Sequence, residues 1–255
     1  MERYASAAEE LKEALNERGI QLYILITPNK EEIYGDLYLP DKVTVLDEMS
    51  KTDQLISYLA ENTDVTVIYP KERLLEYRDQ DIQVWRKYDT HWNNIGAFIV
   101  SQEILAAIGK PSIGLNDVAI VEAGNCGGDL ANMLGLTNIY NDDITYLIEG
   151  YCEEIHAEQA ENVPQPNLNY SKYVSDTSTD ESILCIGDSF LGAMEPFIAA
   201  NFSTAMFVHR DNYGALERDL FEEEHPDIVV FQTAERFVEY LDESMLRYAQ
   251  GYLQP

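Results

Sequence analysis

A serine follows a short apolar run in the last third of the chain, within Gly187-Asp188-Ser189-Phe190. The run before it, 182–187, is apolar enough for a strand buried on both faces, and helical spacing follows it. A serine on a tight turn between a strand and a helix exposes its hydroxyl beside free backbone N–H groups, which can stabilise an oxyanion. Two interpretations are open here: Ser189 is a nucleophile, or it is a helix N-cap.

A nucleophilic serine needs a general base, and that base needs a group to orient it. Of the four histidines, we favour His91, because Asp89 precedes it by two residues. Residues two apart in an extended segment point to the same side, so Asp89 can hold one ring nitrogen while the other faces the serine. The alternative is a structural histidine near the N-cap of the next helix. His209 ends a strand and is the rival base, whereas His156 and His225 lie in acidic, polar segments.

Apolar runs that alternate with helical spacing must position these side chains. The spacing predicts five strands, at 20–27, 65–69, 182–187, 203–209 and 227–233. It predicts helices at 2–18, 51–61, 70–78, 94–108, 191–202, 214–224 and 235–250. This order is typical of an α/β fold with a doubly wound, mostly parallel five-stranded sheet in three layers, flavodoxin-like, with right-handed crossovers. Ligands of such sheets bind beyond the carboxyl ends of the strands, where Ser189 would lie.

Residues 110–182 have weaker periodicity and are rich in Asn, Gly and Asp. We interpret them as an inserted cap of short strands and loops over one end of the sheet, within one domain that spans 1–255. The segment 84–92, which contains Asp89 and His91, is predicted to be extended or a loop.

Composition limits the classes of partner. The chain has 17 Lys and Arg against 46 Asp and Glu, a formal charge of −29, which opposes binding to nucleic acids and to anionic membrane surfaces. No run of 18 apolar residues is present for direct membrane insertion, and residues 1–18 lack the apolar core of a signal peptide. Cys126, Cys152 and Cys185 have no metal-type spacing, and a bridge between Cys126 and Cys152 is left open. We expect no metal and no cofactor.

Two motifs together resemble the SGNH-hydrolase-like domains of the alginate O-acetyltransferase group, which includes AlgX/AlgJ-like and DHHW-type bacterial proteins. They are Asp89-Thr90-His91-Trp92-Asn93 followed by Gly96, and Gly187-Asp188-Ser189-Phe190. Weaker similarities are Pro28-Asn29-Lys30, Gly128-Asp129-Leu130, Met133-Leu134-Gly135-Leu136 and Glu235-Arg236. The resemblance covers roughly residues 20–245, and here, as in that group, the Asp and His precede the Ser.

The resemblance implies that Ser189 is the nucleophile, His91 the general base and acid, and Asp89 its orienter. It implies that Ser189 takes an acetyl group, supplied through a membrane-bound acyltransferase, and passes it to a hydroxyl of an extracytoplasmic polysaccharide at the cell surface or in the periplasm. We expect oxyanion donors at Ser189, Gly128 and Asn29. Candidate substrate-binding residues share a place in or beside the motifs: Arg236, Trp92, Lys30 and Tyr88.

Two other functions stay open. With water as acceptor, the same triad would make the protein a carbohydrate O-acetyl esterase. Alternatively, the chain is a non-catalytic glycan-binding or scaffold subunit, although a binding module has no need of Asp89, His91 and Ser189 together. The strong negative charge argues against alginate itself as the acceptor, because alginate is a polyanion.

Overall fold

The computed structural model describes residues 1–47, 49–152, 155–158, 170–177, 179–209 and 220–252. Its strands are β1 (Gln21–Thr27), β2 (Thr66–Ile68), β3 (Ala119–Cys126), β4 (Asp143–Glu149), β5 (Ile155–Glu158), β6 (Tyr170–Ser175), β7 (Ser182–Gly187), β8 (Thr204–His209) and β9 (Ile228–Ala234). Its α-helices are α1 (Glu2–Asn16), α2 (Lys30–Tyr38), α3 (Lys51–Asn62), α4 (Lys71–Arg78), α5 (Asn94–Ile108), α6 (Asp129–Met133), α7 (Glu195–Ala199) and α8 (Leu241–Arg247).

The central sheet is mostly parallel, as predicted, but it has seven strands rather than five, in the order β2-β1-β9-β7-β8-β6-β5. The five predicted strands are parallel to one another. The two additional strands, β5 and β6, continue the sheet beyond β8 in antiparallel pairs. Both lie in the region 110–182, where the sequence analysis expects short strands but does not place them in the sheet; β6 is mostly half-buried, and a half-buried strand needs no continuous apolar run. Within the irregular region, β3 and β4 form a separate antiparallel pair.

The strand order explains where a ligand site should lie. Across the sheet, the five parallel strands lie in the order β8-β7-β9-β1-β2. If β7 is numbered 1, β8 is 2, β9 is 3, β1 is 4 and β2 is 5, this order reads 2-1-3-4-5, that of flavodoxin-like proteins. In this chain, the first strand of that order is β7. The crossover direction reverses between β7 and β9, and ligands bind at such a switch point. Ser189 comes directly after β7, so its turn lies at this point.

Helices cover both faces of the sheet and bury two apolar cores. Strand β7 contributes to both, with Ile183 and Cys185 in one core and Leu184 and Ile186 in the other. This alternation is why its sequence is continuously apolar. The buried strands thereby hold the Ser189 turn on a rigid base.

Some helices differ from their predictions. Helix α2 is not among the predicted helices, because just one of its residues, Ile33, is buried and it has almost no apolar periodicity. The predicted helix 235–250 is a 3₁₀ turn, Glu235–Tyr240, followed by α8 and a π turn, Tyr248–Tyr252. Residues 214–219 of the predicted helix 214–224 lie outside the described residues, and Leu220–Glu224 form a π turn.

The described residues bear on membrane insertion and on the state of the cysteines. None of the helices in the described segments combines the length and the apolar character needed to cross a bilayer. All three cysteines are free thiols, so Cys126 and Cys152 are not bridged to each other. Burial raises the pKa of the Cys152 thiol to about 11, which leaves it protonated near neutral pH.

Candidate active site

The turn that carries Ser189 is tied to the end of β9 by the residue before it. Asp188, only 6% exposed, accepts a hydrogen bond from the Ala234 N–H through Oδ2 at 2.7 Å. Its Oδ1 accepts from the Phe190 N–H at 3.2 Å and from the Gln232 side-chain amide at 3.0 Å. The buried Asp188 side chain therefore fixes the turn by hydrogen bonds, whereas Ser189 is exposed.

Position 187 must be glycine because the side chain of Gln232 in β9 leaves no space for a Cβ there. The Gln232 side-chain oxygen accepts the Asp188 N–H at 2.7 Å, and a Cβ at position 187 would lie only 2.2 Å from that oxygen. Real Cβ contacts are not so short, so a side chain here would displace Gln232. The sequence singled out Gly187 for the turn, but Gln232 carries no motif and was missed.

His91 lies on a short turn whose two sides meet at the bridge between Trp85 and Trp92. The Arg86 N–H donates to the His91 carbonyl at 3.1 Å, which closes the turn. Phe190, next to Ser189, packs against the imidazole with ring centroids 4.7 Å apart. The predicted loop at 84–92 is thus held against the nucleophile turn by aromatic packing.

The structure brings Ser189, His91 and Asp89 together with hydrogen-bond distances throughout. His91 Nε2 lies 2.7 Å from Ser189 Oγ, and Nδ1 lies 2.7 Å from Asp89 Oδ1. The same carboxylate oxygen accepts the His91 backbone N–H at 2.9 Å. This is the arrangement that a serine nucleophile, its base and the orienter of that base require.

Asp89 is buried, with 7% of its surface exposed. Burial opposes its ionisation, but hydrogen bonds from the His91 ring and from the His91 and Asp129 backbone N–H groups outweigh that effect and hold the pKa of Asp89 well below its usual range. The side chain is therefore a carboxylate at neutral pH, able to keep a proton on His91 Nδ1.

Asp129 is a further carboxylate at this site that sequence reasoning did not assign. Its Oδ2 lies 3.6 Å from His91 Nδ1, and its backbone N–H donates to Asp89 Oδ2 at 3.1 Å. Thr90 donates its N–H to Asp129 Oδ1 at 2.8 Å and its hydroxyl to Oδ2. The only available signal was the Gly128-Asp129-Leu130 motif, which says nothing of what Asp129 touches.

Asp89, His91 and Asp129 have donor atoms within 4.8 Å of one another, the one such potential metal-ligating group in the described part of the chain. Both Asp89 oxygens and both Asp129 oxygens accept hydrogen bonds from the protein. The His91 nitrogens are likewise engaged, by Asp89 and Ser189. The geometry therefore suits proton transfer between Ser189 and His91 Nε2, with the Nδ1 proton held by Asp89.

Lys30 and Trp92, both predicted to bind substrate, make contacts within the protein. The Lys30 ammonium donates to the carbonyls of Arg86, Lys87 and Asp89 at 2.6, 2.9 and 3.1 Å, which uses all three of its protons. Trp92 is 1% exposed and packs edge-on against Phe190. Lys30 thus supports the backbone of the histidine turn and Trp92 supports its packing, and their role in substrate binding stays a prediction.

The other two residues predicted to bind substrate are Tyr88 and Arg236. Tyr88 is half-buried, stacks on Tyr140 at 5.1 Å and donates its hydroxyl to Asp142 at 2.7 Å. Arg236 is exposed, with its guanidinium carbon 5.1 Å from the centre of the Phe190 ring. No carboxylate of the described residues lies within ion-pair distance of Arg236.

The three expected oxyanion donors have different environments. The Ser189 N–H has no hydrogen-bond acceptor among the residues the structure describes, so it is available. The Asn29 N–H donates to Glu235 at 2.8 Å. Gly128 packs against the backbone of Tyr88 and Asp89, the residues on the Nδ1 side of the imidazole. Of the three, the Ser189 N–H alone is both free and attached to the nucleophile.

Comparison with known proteins places the fold among acetyltransferases. The family described as SGNH hydrolase-like domain, acetyltransferase AlgX, matches residues 1–197. The chain is 23% identical over 249 residues to a probable alginate O-acetylase, AlgJ, of Pseudomonas putida, in an alignment covering 89% of this chain. The chain spans 61% of the length of that curated relative.

Several solved structures share this fold. A DHHW family protein from Eubacterium siraeum superimposes with a TM-score of 0.71 at 14% identity, covering 95% of this chain and 88% of the other. Bacillus cereus PatB1 also gives 0.71, at 17% identity over 96% and 91% of the two chains. Pseudomonas aeruginosa AlgX gives 0.64 at 13% identity over 99% and 61%. The chain belongs to the SGNH hydrolase-like, AlgX-type acetyltransferase family.

Proposed function

We propose that this protein is a serine-dependent O-acetyltransferase that acetylates a polysaccharide through an acetyl-Ser189 intermediate. The observation that carries the proposal is the continuous chain from Ser189 Oγ through His91 to Asp89, with 2.7 Å at each step. Family membership supports the reaction class. The exposure of Ser189 at the switch point of the sheet supports access by large substrates.

In the first half-reaction, Ser189 Oγ attacks the carbonyl carbon of the acetyl donor while His91 Nε2 takes the hydroxyl proton. The carbonyl oxygen becomes an oxyanion, which the free Ser189 N–H stabilises. The carbon–leaving-group bond then breaks, and His91 returns its proton to the leaving group. The products are the deacetylated donor and an ester on Ser189. Asp89 stays ionised and holds the Nδ1 proton throughout.

In the second half-reaction, a sugar hydroxyl attacks the acetyl-Ser189 carbonyl and gives its proton to His91 Nε2. The Ser189 ester bond breaks, and the serine oxygen recovers a proton from His91. The acetyl group has then moved to the sugar, and no cofactor has been consumed. We propose Arg236 and Tyr88 as residues that contact the acceptor or the donor, because both lie beside the Phe190–His91 pair or the turn that carries His91.

The location and the partner are part of the proposal. We propose that the protein acts outside the cytoplasm and that a membrane-bound acyltransferase supplies the acetyl groups. The curated relative is named for alginate, but a chain with a formal charge of −29 would repel a polyuronate. A neutral or amino sugar polymer is therefore our preferred acceptor.

A second candidate function is hydrolysis of carbohydrate acetyl esters. It has one observation in its favour, since Ser189 is exposed and water can reach an ester formed there. The two activities share the first half-reaction and differ only in the acceptor. They are distinguished by the fate of the acetyl group when sugar and water compete.

The test uses p-nitrophenyl acetate as donor and a neutral gluco-oligosaccharide as acceptor. We expect an acetyl adduct on Ser189 by intact-protein and peptide mass spectrometry, and an acetylated oligosaccharide in the presence of acceptor. The Ser189→Ala variant should show neither product. Free acetate alone would support the esterase, and the absence of any adduct or release would support the non-catalytic glycan-binding subunit.

A further inference from the structure

We propose that Asp129 is a positioning residue of this site, which fixes Asp89 through its backbone N–H and adds a second negative charge beside His91 through its side chain. The inference rests on the proposed roles of Ser189 and His91. It assigns a function to a carboxylate that a Ser-His-Asp scheme does not require.

The backbone N–H of Asp129 holds the oxygen of Asp89 that His91 does not use. Its N–H reaches Asp89 Oδ2 at 3.1 Å, whereas His91 Nδ1 and the His91 N–H both use Asp89 Oδ1. Each oxygen of Asp89 is thus hydrogen-bonded by a different residue. The carboxylate therefore cannot rotate away from the imidazole without losing a hydrogen bond. The backbone of Asp129 therefore sets the orientation of the orienter.

The side chain of Asp129 acts by charge rather than by a hydrogen bond to the ring. Its Oδ2 is 3.6 Å from His91 Nδ1, beyond hydrogen-bond distance. Thr90 holds both oxygens of Asp129. Its N–H donates to Oδ1 at 2.8 Å, and its hydroxyl donates to Oδ2. Thr90 thereby keeps a fixed carboxylate beside the ring without letting it compete with Asp89 for the Nδ1 proton.

The loop that brings Asp129 to this place can pass only because residue 128 is glycine. A Cβ on Gly128 would lie 2.1 Å from the Tyr88 carbonyl oxygen and 2.8 Å from Asp89 Cβ. The Leu130 N–H donates to the same Tyr88 carbonyl at 3.2 Å and fastens the loop there. The close approach brings the loop against Tyr88 and Asp89. The hydrogen bond from the Asp129 N–H to Asp89 requires this proximity.

The consequence appears when His91 takes the Ser189 proton and becomes an imidazolium. The charged groups that face the ring or its immediate supports are the Asp89 and Asp129 carboxylates, the Arg236 guanidinium above Phe190 and the Lys30 ammonium on the Asp89 carbonyl. The carboxylates are the nearer pair, and each favours the imidazolium. Removing the charge of Asp129 should weaken His91 as a base without moving it.

The test is the rate at which phenylmethanesulfonyl fluoride inactivates the protein as a function of pH, since sulfonylation of Ser189 needs neither acetyl donor nor sugar. In Asp129→Asn the amide can keep both Thr90 contacts, and the backbone N–H remains. We expect an inactivation rate about tenfold lower, with the acidic limb of the pH–rate profile moved about one unit to lower pH, the lower end of the effect of a charge at this distance.

Two further variants complete the design. Asp129→Ser removes the charge with a small residue that the first turn of a helix tolerates, and it should give the same shift of the acidic limb if Asp129→Asn folds poorly. Asp117→Asn is the matched control, because it removes the charge of a carboxylate that likewise accepts a backbone N–H, that of Gly114, outside this hydrogen-bond network. It should leave rate and profile unchanged.

The outcomes separate the two proposals. If the wild-type protein does not react with the probe, the nucleophilic role of Ser189 is wrong, and the role of Asp129 is lost with it. If the wild type reacts but folded Asp129→Asn and Asp129→Ser keep its rate within twofold and its acidic limb at the same pH, only the role of Asp129 is overturned.

Discussion

The three residues of the proposed triad differ in how strongly the surrounding protein constrains them. Asp89 is buried and hydrogen-bonded on both oxygens, His91 is partly exposed, and Ser189 is exposed. Asp89 and His91 could be paired from the sequence because their spacing of two makes the contact local. Asp129 could not be placed, because its contact with His91 depends on a loop from another part of the chain.

Replacing Asp89 by Asn should lower the activity and leave the protein folded. The amide keeps the shape but can hold the imidazole in the wrong tautomer, so Ser189 loses its base. We expect kcat for p-nitrophenyl acetate to fall on the order of 10⁴-fold, as in the serine-protease precedent, while circular dichroism still shows a folded protein. His209→Ala is the comparison, since the rival histidine ends β8. Loss of activity in that variant with an active Asp89→Asn would show that the base is misassigned.

The ionisation of Asp89 also predicts a dependence of stability on pH. Its pKa in the folded protein lies below the value of about 3.9 expected in the unfolded chain. The ionised group therefore stabilises the fold above about pH 4, and this contribution is lost as the pH falls. Melting temperatures measured between pH 7 and pH 3 should show wild type above Asp89→Asn at pH 7, with the difference shrinking on acidification. A constant difference would contradict the assignment.

At the scale of elements, the parts that the sequence could predict are those whose residues face two apolar layers. Strands β1, β2, β7, β8 and β9 have continuous apolar runs because both of their faces are covered. Strands β5 and β6 and the pair β3–β4 carry mixed residues, and their pairing depends on tertiary contacts. Helix α2 buries only Ile33, so no period could reveal it.

The junction between β7 and the Ser189 turn leaves no room for a side chain at position 187. In Gly187→Ala the added methyl group collides with Gln232 and must displace it from Asp188. We expect the free energy of unfolding, measured in urea, to fall by roughly 1–3 kcal/mol, the usual cost of overpacking. Esterase activity should fall as well, because Asp188 holds the turn.

Gly192→Ala is the matched control for that substitution. Gly192 follows the same turn, but a Cβ there meets nothing within 4 Å. Its stability and activity should stay close to those of the wild type. Equal losses in both variants would show that the turn tolerates no change at all and that the contact with Gln232 is not the cause.

At the scale of the whole molecule, charge is the dominant property. A formal charge of −29 on 255 residues raises the energy of any polyanion that approaches the protein. The Debye length is about 10 Å at 0.1 M salt, so added salt should weaken this repulsion strongly. The choice of acceptor should therefore depend on ionic strength.

With p-nitrophenyl acetate as donor, we expect a neutral gluco-oligosaccharide to be acetylated faster than an oligomannuronate of the same length at low salt. Raising the salt concentration should increase the rate with the oligomannuronate and leave the rate with the neutral acceptor nearly unchanged. Product formation is followed by mass spectrometry. A faster reaction with the oligomannuronate at low salt would mean that a local basic patch at the cleft outweighs the net charge.

The pairing of β1 with β9 has a consequence for how the protein is made. These strands are the first and last of the sheet in chain order, and they pair over seven residues, from Gln21 with Ile228 to Thr27 with Ala234. During synthesis the middle of the sheet stays open until β9 leaves the ribosome. The Ala234 N–H and the Gln232 amide, which hold Asp188, arrive only then. A nascent chain stalled before β9, or a product of early termination, therefore contains Asp89, His91 and Ser189 and yet has no fixed nucleophile turn.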